Sequence, residues 1–355
     1  MMGEAAHSVD VTVTLLATSM DDAAVATCDA TLIGLATDAV SLDDLAQLND
    51  VITFDHELVN LDQLQDLQDR GFIVRPNASA LRFAVDKAHQ RTAFADAGIG
   101  VPRFLVVESS GDPALEPFLD DVGDVVVKAA RGGYDGRGVI FRTSRAETLE
   151  AIDEWASSST VVVEERLALL GEVAQIVVRS AAGDVVAYPL VSTVQSNGMC
   201  VEVRFPADDA TLGSDAERIA RRIAELTDAV GVVAVEFFHT ARGLLVNEIA
   251  LRPHNSGHWT IEGAVCSQFE NHLRAIAGLP LGVTALRAPC VMVNFIGEVP
   301  ANAELAAIPD LHIHHYGKTP KPQRKVGHAT LLAADDAQLQ ARLIQLMALV
   351  ARSER

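Results

Sequence analysis

Lys128-Ala129-Ala130-Arg131-Gly132-Gly133-Tyr134-Asp135-Gly136-Arg137-Gly138 lies between two short apolar runs, residues 125–127 and 139–141. A strand, a glycine-rich turn and a second strand therefore follow in order. Four glycines in seven residues (132–138) pack no core and lose backbone entropy on ordering. They do let bare N–H groups approach an anion. A lysine leaving the first strand adds a compact positive charge suited to a phosphate. The stretch reads as a flap over a nucleoside triphosphate, or else as a glycine hairpin with an incidental lysine. No Gly-Lys-Ser/Thr follows and no helix opens here, so neither common phosphate-loop fingerprint applies.

Outward from the flap, residues 104–107 and 161–165 also read as strands, which gives an antiparallel group. Before it, residues 11–17, 31–35 and 51–54 read as strands alternating with helices at 42–48 and 61–70, the pattern of a helix-covered parallel sheet. Arg75-Pro76-Asn77 breaks that pattern, and one helix is expected from about 80 to 97. After the flap come two long hairpins, 172–179 returning over 185–191 and 232–238 returning over 244–250. Helices are expected at 215–230 and 266–277, strands near 291–295, 312–316 and 329–332, and a closing helix at 336–351. The fold class is α/β running into α+β.

At 355 residues the chain is long for one core, so two or three lobes are expected. The net charge of −20 argues against a nucleic-acid groove. Only five lysines occur, and three of them crowd into Lys318-Thr319-Pro320-Lys321-Pro322-Gln323-Arg324-Lys325. In so acidic a chain this run reads as a local anion site, for example for a phosphate monoester, or as a solvated basic loop. Cys28, Cys200, Cys266 and Cys290 have no paired spacing and read as reduced thiols of a cytoplasmic protein. No apolar run reaches membrane-spanning length and the start lacks a signal-peptide pattern.

Glu236 and Glu248 occupy the two arms of the second hairpin and should lie near each other, in strongly apolar surroundings. Two ionised carboxylates so placed would repel and lose hydration. A hard cation relieves both, and oxygen ligands beside a nucleotide favour Mg²⁺. The other reading leaves one glutamate facing solvent or an arginine. Glu164 and Glu165 end a strand where a base and ribose can be held, or simply meet water. Glu172 is either a ribose acceptor or an edge charge. Arg252-Pro253-His254-Asn255-Ser256-Gly257-His258 follows an apolar strand, and its arginine could neutralise charge that develops in phosphoryl transfer. Each histidine, taken singly, reads as structural.

Taken together these segments resemble the ATP-grasp superfamily and, within it, the N5-carboxyaminoimidazole ribonucleotide synthetases. The motifs are the 131–138 loop, Val163-Glu164-Glu165, Ala234-Val235-Glu236, the 246–258 string, Ser267-Gln268-Phe269-Glu270, Tyr316-Gly317-Lys318 and Arg324-Lys325-Val326-Gly327-His328. The resemblance implies a pre-ATP-grasp parallel-sheet domain at 1–80, an ATP-grasp region at 81–285 with a small lid at about 104–167, and a C-terminal domain at 286–355. It implies a cytoplasmic homodimeric ligase of purine biosynthesis, with no nucleic-acid or membrane partner. Its substrates would be ATP, bicarbonate and 5-aminoimidazole ribonucleotide, with Mg²⁺ as cofactor and carboxyphosphate as intermediate.

Residue by residue, the resemblance assigns nucleotide contacts to Lys87, Lys128, Gly133, Tyr134, Asp135, Gly136, Arg137, Gly138, Val139, Glu164, Glu165, Arg166, Leu167, Glu172, Asn247 and Glu248. Gln195 is added at a position where some relatives carry histidine. Glu236 and Glu248 would hold magnesium. Tyr134, Asp135, Arg137, Arg252 and His254 would surround the reacting groups, and Glu57, Asn255, Lys318, Arg324 and Lys325 the aminoimidazole substrate. Relatives begin with a strand and a G-G-G-Q-L-x-R-M loop, whereas Met1–Ala6 matches the helix after that loop. Roughly 15–20 residues are expected to be missing. A misassigned start codon, with an in-frame G-x-G-Q-L-type segment upstream, is the preferred account and an impaired truncated enzyme the other. Two rivals remain at this point, a formate-dependent glycinamide ribonucleotide transformylase and a non-catalytic nucleotide-binding protein.

Overall fold

The computed structural model describes residues 1–132, 138–142, 144–157, 159–207 and 209–353. Strands β1 (Thr14–Ala17) and β2 (Ala30–Ile33) pair in parallel; the helix Ala39–Leu48 packs on both, and Leu61–Asp69 packs against that helix. The strand expected at 51–54 is only a single parallel bridge, Ile52 to Val74. The single helix expected over 80–97 is two, Ala78–Val85 and Lys87–Asp96. Asp86 breaks it: its backbone is extended (φ −126°, ψ 98°) and its carboxylate accepts the N–H of His89, capping the second helix.

A small antiparallel sheet follows, with β3 (Phe104–Val107), β4 (Val125–Ala129), β5 (Val139–Arg142) and β6 (Val161–Glu165) in the order β3-β6-β4-β5. The helices Leu115–Val122 and Arg145–Ala156 cover it, closing a separate core around Val127, Ile152, Val161 and Val163. The large sheet contains β7 (Leu169–Arg179), β8 (Val185–Ala187), β9 (Val191–Ser196), β10 (Met199–Phe205), β11 (Gly231–Thr240), β12 (Gly243–Ala250), β13 (Cys290–Ile296), β14 (Leu311–His315) and β15 (Lys325–Leu332). Its order is β12-β11-β7-β9-β10-β13-β15-β14, with β8 also on β7.

The return strand expected at 185–191 is thus split into β8 and β9, with Tyr188-Pro189-Leu190 between them. Pro189 has no N–H to give a ladder. The β9–β10 hairpin was not expected. It turns at Asn197-Gly198, both with positive φ (51° and 76°), the two-residue turn that Asn-Gly favours. The helix Asp336–Ser353 packs on β13 and β15 and closes a third core. No helix among the described residues is long and apolar enough to cross a membrane.

Candidate active site between the small and large sheets

The β11–β12 hairpin builds one wall. Glu236 stands directly opposite Glu248, and the next pair is Phe237 with Val246, so Asn247 is an extra residue in a bulge. Along a regular strand Asn247 and Glu248 would face opposite ways; a bulge re-aims one of them. Glu172 of β7 lies opposite Phe238, two residues from Glu236, and therefore on the same face. Thr193 of β9 is opposite Glu172, which brings Gln195 to that face one step further on.

Lys128 of the small sheet meets this wall. It is 6% exposed; its ammonium donates to Glu164 Oε2 (2.8 Å) and Asn247 Oδ1 (3.3 Å) and lies 5.9 Å from the centre of the Phe238 ring. Burial pulls the lysine below its ordinary pKa, opposed chiefly by Glu164 and in part by Glu248. Burial would by itself raise the Glu164 carboxyl, but Arg91 and Lys128 outweigh it and hold the group down at about 2. Glu172 is pushed up by burial and then by Glu248. The gap thus joins a lysine from one sheet to three carboxylates of the other, which suits a ligand carrying several negative charges together with a cation.

The other expected nucleotide residues divide. Lys87 opens the helix Lys87–Asp96 and donates its backbone N–H to Ala130 O (2.8 Å), beside the glycine stretch. Val139 pairs with Lys128, and Gly138 (φ 73°) accepts from Ala129 N (3.0 Å). Glu165 turns away from Lys128, accepting from Arg103 N (2.8 Å) and Arg242 (2.5 Å). The Arg166 guanidinium lies 3.5 Å from Asp124, and Leu167 is half-buried. Gly133, Tyr134, Asp135, Gly136 and Arg137 lie outside the described residues.

Beyond the hairpin the polar loop 252–258 extends the site. Arg252 pairs with Glu57 of the N-terminal region (2.8 Å), while its buried Nε has no hydrogen-bond partner among the described residues. Gln268 brackets the loop, accepting from His254 N (2.9 Å) and donating to His254 O (2.7 Å) and His258 Nδ1 (3.0 Å). His254 Nε2 lies 3.8 Å from Glu236, and burial, helped by Arg252 and Lys325, pushes its pKa down to about 3. Lys325 is close enough to act electrostatically on both His254 and His258. Asn255 exchanges amide hydrogen bonds with Asn294 of β13 (2.9 and 2.7 Å), which ties the loop to the sheet. Lys318 lies 5.3 Å above the Tyr316 ring, and the Tyr316 hydroxyl is 2.8 Å from His328 Nδ1. Arg324 donates to Thr319 O (3.2 Å), bracing the basic loop internally.

Among the described residues no group of three or more His, Cys, Asp or Glu forms a metal cage. The facing pair Glu236 and Glu248 suits instead a cation that draws its remaining ligands from phosphate oxygens, as Mg²⁺ does. Arg91 and Asp86 carry no local sequence signal of their roles, because Glu164, Asn247 and Arg131 lie far away along the chain. Gln268 and Asn294 are supports that only the fold reveals.

Two sheets closing on a lysine and facing acids define an ATP-grasp protein, and residues 92–269 match the ATP-grasp domain family. Residues 1–85 match the ribonucleotide synthetase preATP-grasp domain, and residues 290–342 the phosphoribosylaminoimidazole carboxylase C-terminal domain. The N5-carboxyaminoimidazole ribonucleotide synthase of Mycobacterium tuberculosis is 42% identical over 356 residues, covering 96% of this chain and 82% of its own length. That of Pseudomonas aeruginosa is 43% identical over 315 residues, 88% of this chain and 86% of its own. The Thermus thermophilus synthetase structure superimposes with a TM-score of 0.91 at 36% identity, covering 99% of this chain and 95% of its own. An Aspergillus clavatus synthase in complex with ADP and 5-aminoimidazole ribonucleotide gives 0.88 at 29% identity, covering 99% and 95%. The chain belongs to the N5-carboxyaminoimidazole ribonucleotide synthase family, whose members are ATP-dependent ligases.

Proposed function

We propose that this chain carboxylates 5-aminoimidazole ribonucleotide to N5-carboxyaminoimidazole ribonucleotide, using bicarbonate and cleaving ATP to ADP and phosphate. A bicarbonate oxygen attacks the γ-phosphorus and ADP leaves. The exocyclic amine then attacks the carboxyl carbon of carboxyphosphate, forming the C–N bond, releasing phosphate and losing a proton. The observation that carries this reading is the meeting of Lys128 with the Glu236–Glu248 hairpin across one gap.

In this reading Lys128 and Lys87 receive phosphate charge, Glu164 orients Lys128, and Glu172, Gln195 and Asn247 line the nucleotide, together with residues 165–167 at the strand end. Glu236 and Glu248 hold Mg²⁺, which when bound offsets negative charge on the phosphates. Arg252, fixed by Glu57, presents its guanidinium, whose Nε–H has no partner among the described residues, to the oxygens of the transferring group. His254, kept neutral, adds no competing charge beside Glu236. Lys318, Arg324 and Lys325 supply cations for the substrate phosphate, with Asn255 holding the adjoining loop and Tyr134, Asp135 and Arg137 assigned to the reacting groups by the family resemblance. Carboxyphosphate decomposes in water, so the reaction needs a site that excludes solvent.

The domain division in this reading is 1–80, 81–285 and 286–355, with the small sheet as lid; the enzyme is a cytoplasmic homodimer without nucleic-acid or membrane partners. A coupled ADP-release assay tests the proposal. ADP should form only when ATP, bicarbonate and 5-aminoimidazole ribonucleotide are all present; a requirement for formate in place of bicarbonate would overturn it.

A further inference from the structure

We propose that Arg91 is a positioning residue for the nucleotide-facing lysine: its buried guanidinium fixes Glu164 and, through Glu164, sets the Lys128 ammonium against Asn247. This rests on the reading of Lys128 as a nucleotide ligand. Arg91 is 0% exposed, and all its polar atoms are committed. Nε donates to Glu164 Oε1 (2.7 Å), Nη1 to Gln90 Oε1 (2.7 Å) and Nη2 to the carbonyl oxygen of Asn247 (2.5 Å). These partners belong to three elements: the helix Lys87–Asp96, strand β6 of the small sheet and strand β12 of the large one. One side chain therefore bolts both walls of the gap to the helix between them.

The geometry passes from Arg91 to the lysine without a break. Arg91 takes one oxygen of the Glu164 carboxylate and Lys128 takes the other (2.8 Å), so the plane that the guanidinium imposes decides where the ammonium rests. Asn247 closes the circuit: its carbonyl accepts from Arg91 and its amide oxygen from Lys128. A buried ion pair contributes little net stability compared with an apolar replacement, because desolvation offsets attraction, but it can specify one arrangement. Three diverging acceptors in one plane also demand a guanidinium, since an ammonium is a point donor. The same helix is tied to the small sheet a second time. Asp86, its N-cap, accepts from Arg131 Nε (3.1 Å) and Nη2 (2.8 Å) at the root of the glycine stretch.

The test compares Arg91→Met, Arg91→Lys and Lys128→Met in the full chain by titration with MgATP and by steady-state kinetics. Arg91→Met should weaken ATP binding about tenfold, leave kcat at saturating ATP within about threefold, and leave the KM for 5-aminoimidazole ribonucleotide unmoved. Arg91→Lys should recover part of the loss. An ATP dissociation constant within about twofold of wild type in Arg91→Met, even with a lower melting temperature, would show a purely structural role and overturn the proposal. If Arg91→Met does not fold, Arg91→Lys decides, and unchanged ATP affinity in it overturns the proposal equally. Lys128→Met separates the two claims. Unchanged ATP binding in that variant removes the reading beneath, whereas loss there with normal binding in both Arg91 variants removes only this inference.

Discussion

The two ends of the site handle burial in opposite ways. At one end Arg91, Glu164 and Lys128 remain in the interior as a compensated set, the carboxyl held at about 2. At the far end half-buried His254 and buried His258 have no carboxylate in hydrogen-bond contact among the described residues, and burial drives both well below the ordinary histidine value. His328 joins them, stacked on His314 with centroids 4.5 Å apart and also pushed far down by burial. In the proposed reading, charges that meet a charged ligand are kept and paired, and groups that only shape the pocket are left neutral. The first end should therefore fail through function when altered, and the second through acid.

The largest effect is expected from Glu248→Gln, which removes one of the two facing carboxylates. We expect kcat/KM to fall by about 10²–10³, or about 3–4 kcal/mol of transition-state stabilisation, with partial relief from excess Mg²⁺. Activity within tenfold of wild type would break the charged half of the comparison. Lys128→Met should cost about 10²-fold in kcat/KM, chiefly through ATP, and product assays at varied ATP would show it.

The neutral half predicts a pH dependence. An unfolded histidine takes up a proton near pH 6.5, whereas His254 does so at about 3 in the folded protein, and His258 and His328 lower than usual too. As pH falls below about 6.5 the unfolded chain binds more protons than the native one, so stability is complete above that point and lost progressively toward 3. Each histidine contributes about 1.4 kcal/mol per pH unit. Urea denaturation at pH 7.5, 6.0 and 5.0 should show a steep decline, and a flat profile would mean these rings are hydrated. The smallest effect is expected from Tyr316→Phe. It deletes the bond to His328 but keeps the ring beneath Lys318, for about 1 kcal/mol of stability and little change in kcat.

Legibility in the sequence followed the same division. The β11–β12 hairpin was readable because its apolar arms and Ala241-Arg242-Gly243 turn are local signals, and they placed Glu236 beside Glu248. The bulge at Asn247 was not readable, since nothing local distinguishes it from a regular strand. The β9–β10 hairpin carries a local signal in the Asn197-Gly198 turn. The break at Asp86 was hidden by helix-compatible neighbours and is enforced by Arg131, 45 residues away. Arg91 could not be read at all: its meaning comes from Glu164 and Asn247, which lie 73 and 156 residues further on.

Diffraction from crystals grown with ADP and Mn²⁺, the manganese located by its anomalous signal, tests the central claim most directly. In the proposed reading one lysine of the small sheet and two facing acids grip a single metal–nucleotide complex, so the peak should fall between the Glu236 and Glu248 carboxylates and a phosphate oxygen, with Lys128 Nζ in hydrogen-bond reach of the same phosphate chain. Manganese bound elsewhere, or nucleotide bound with Lys128 still turned to Glu164 and away from every phosphate, would contradict it.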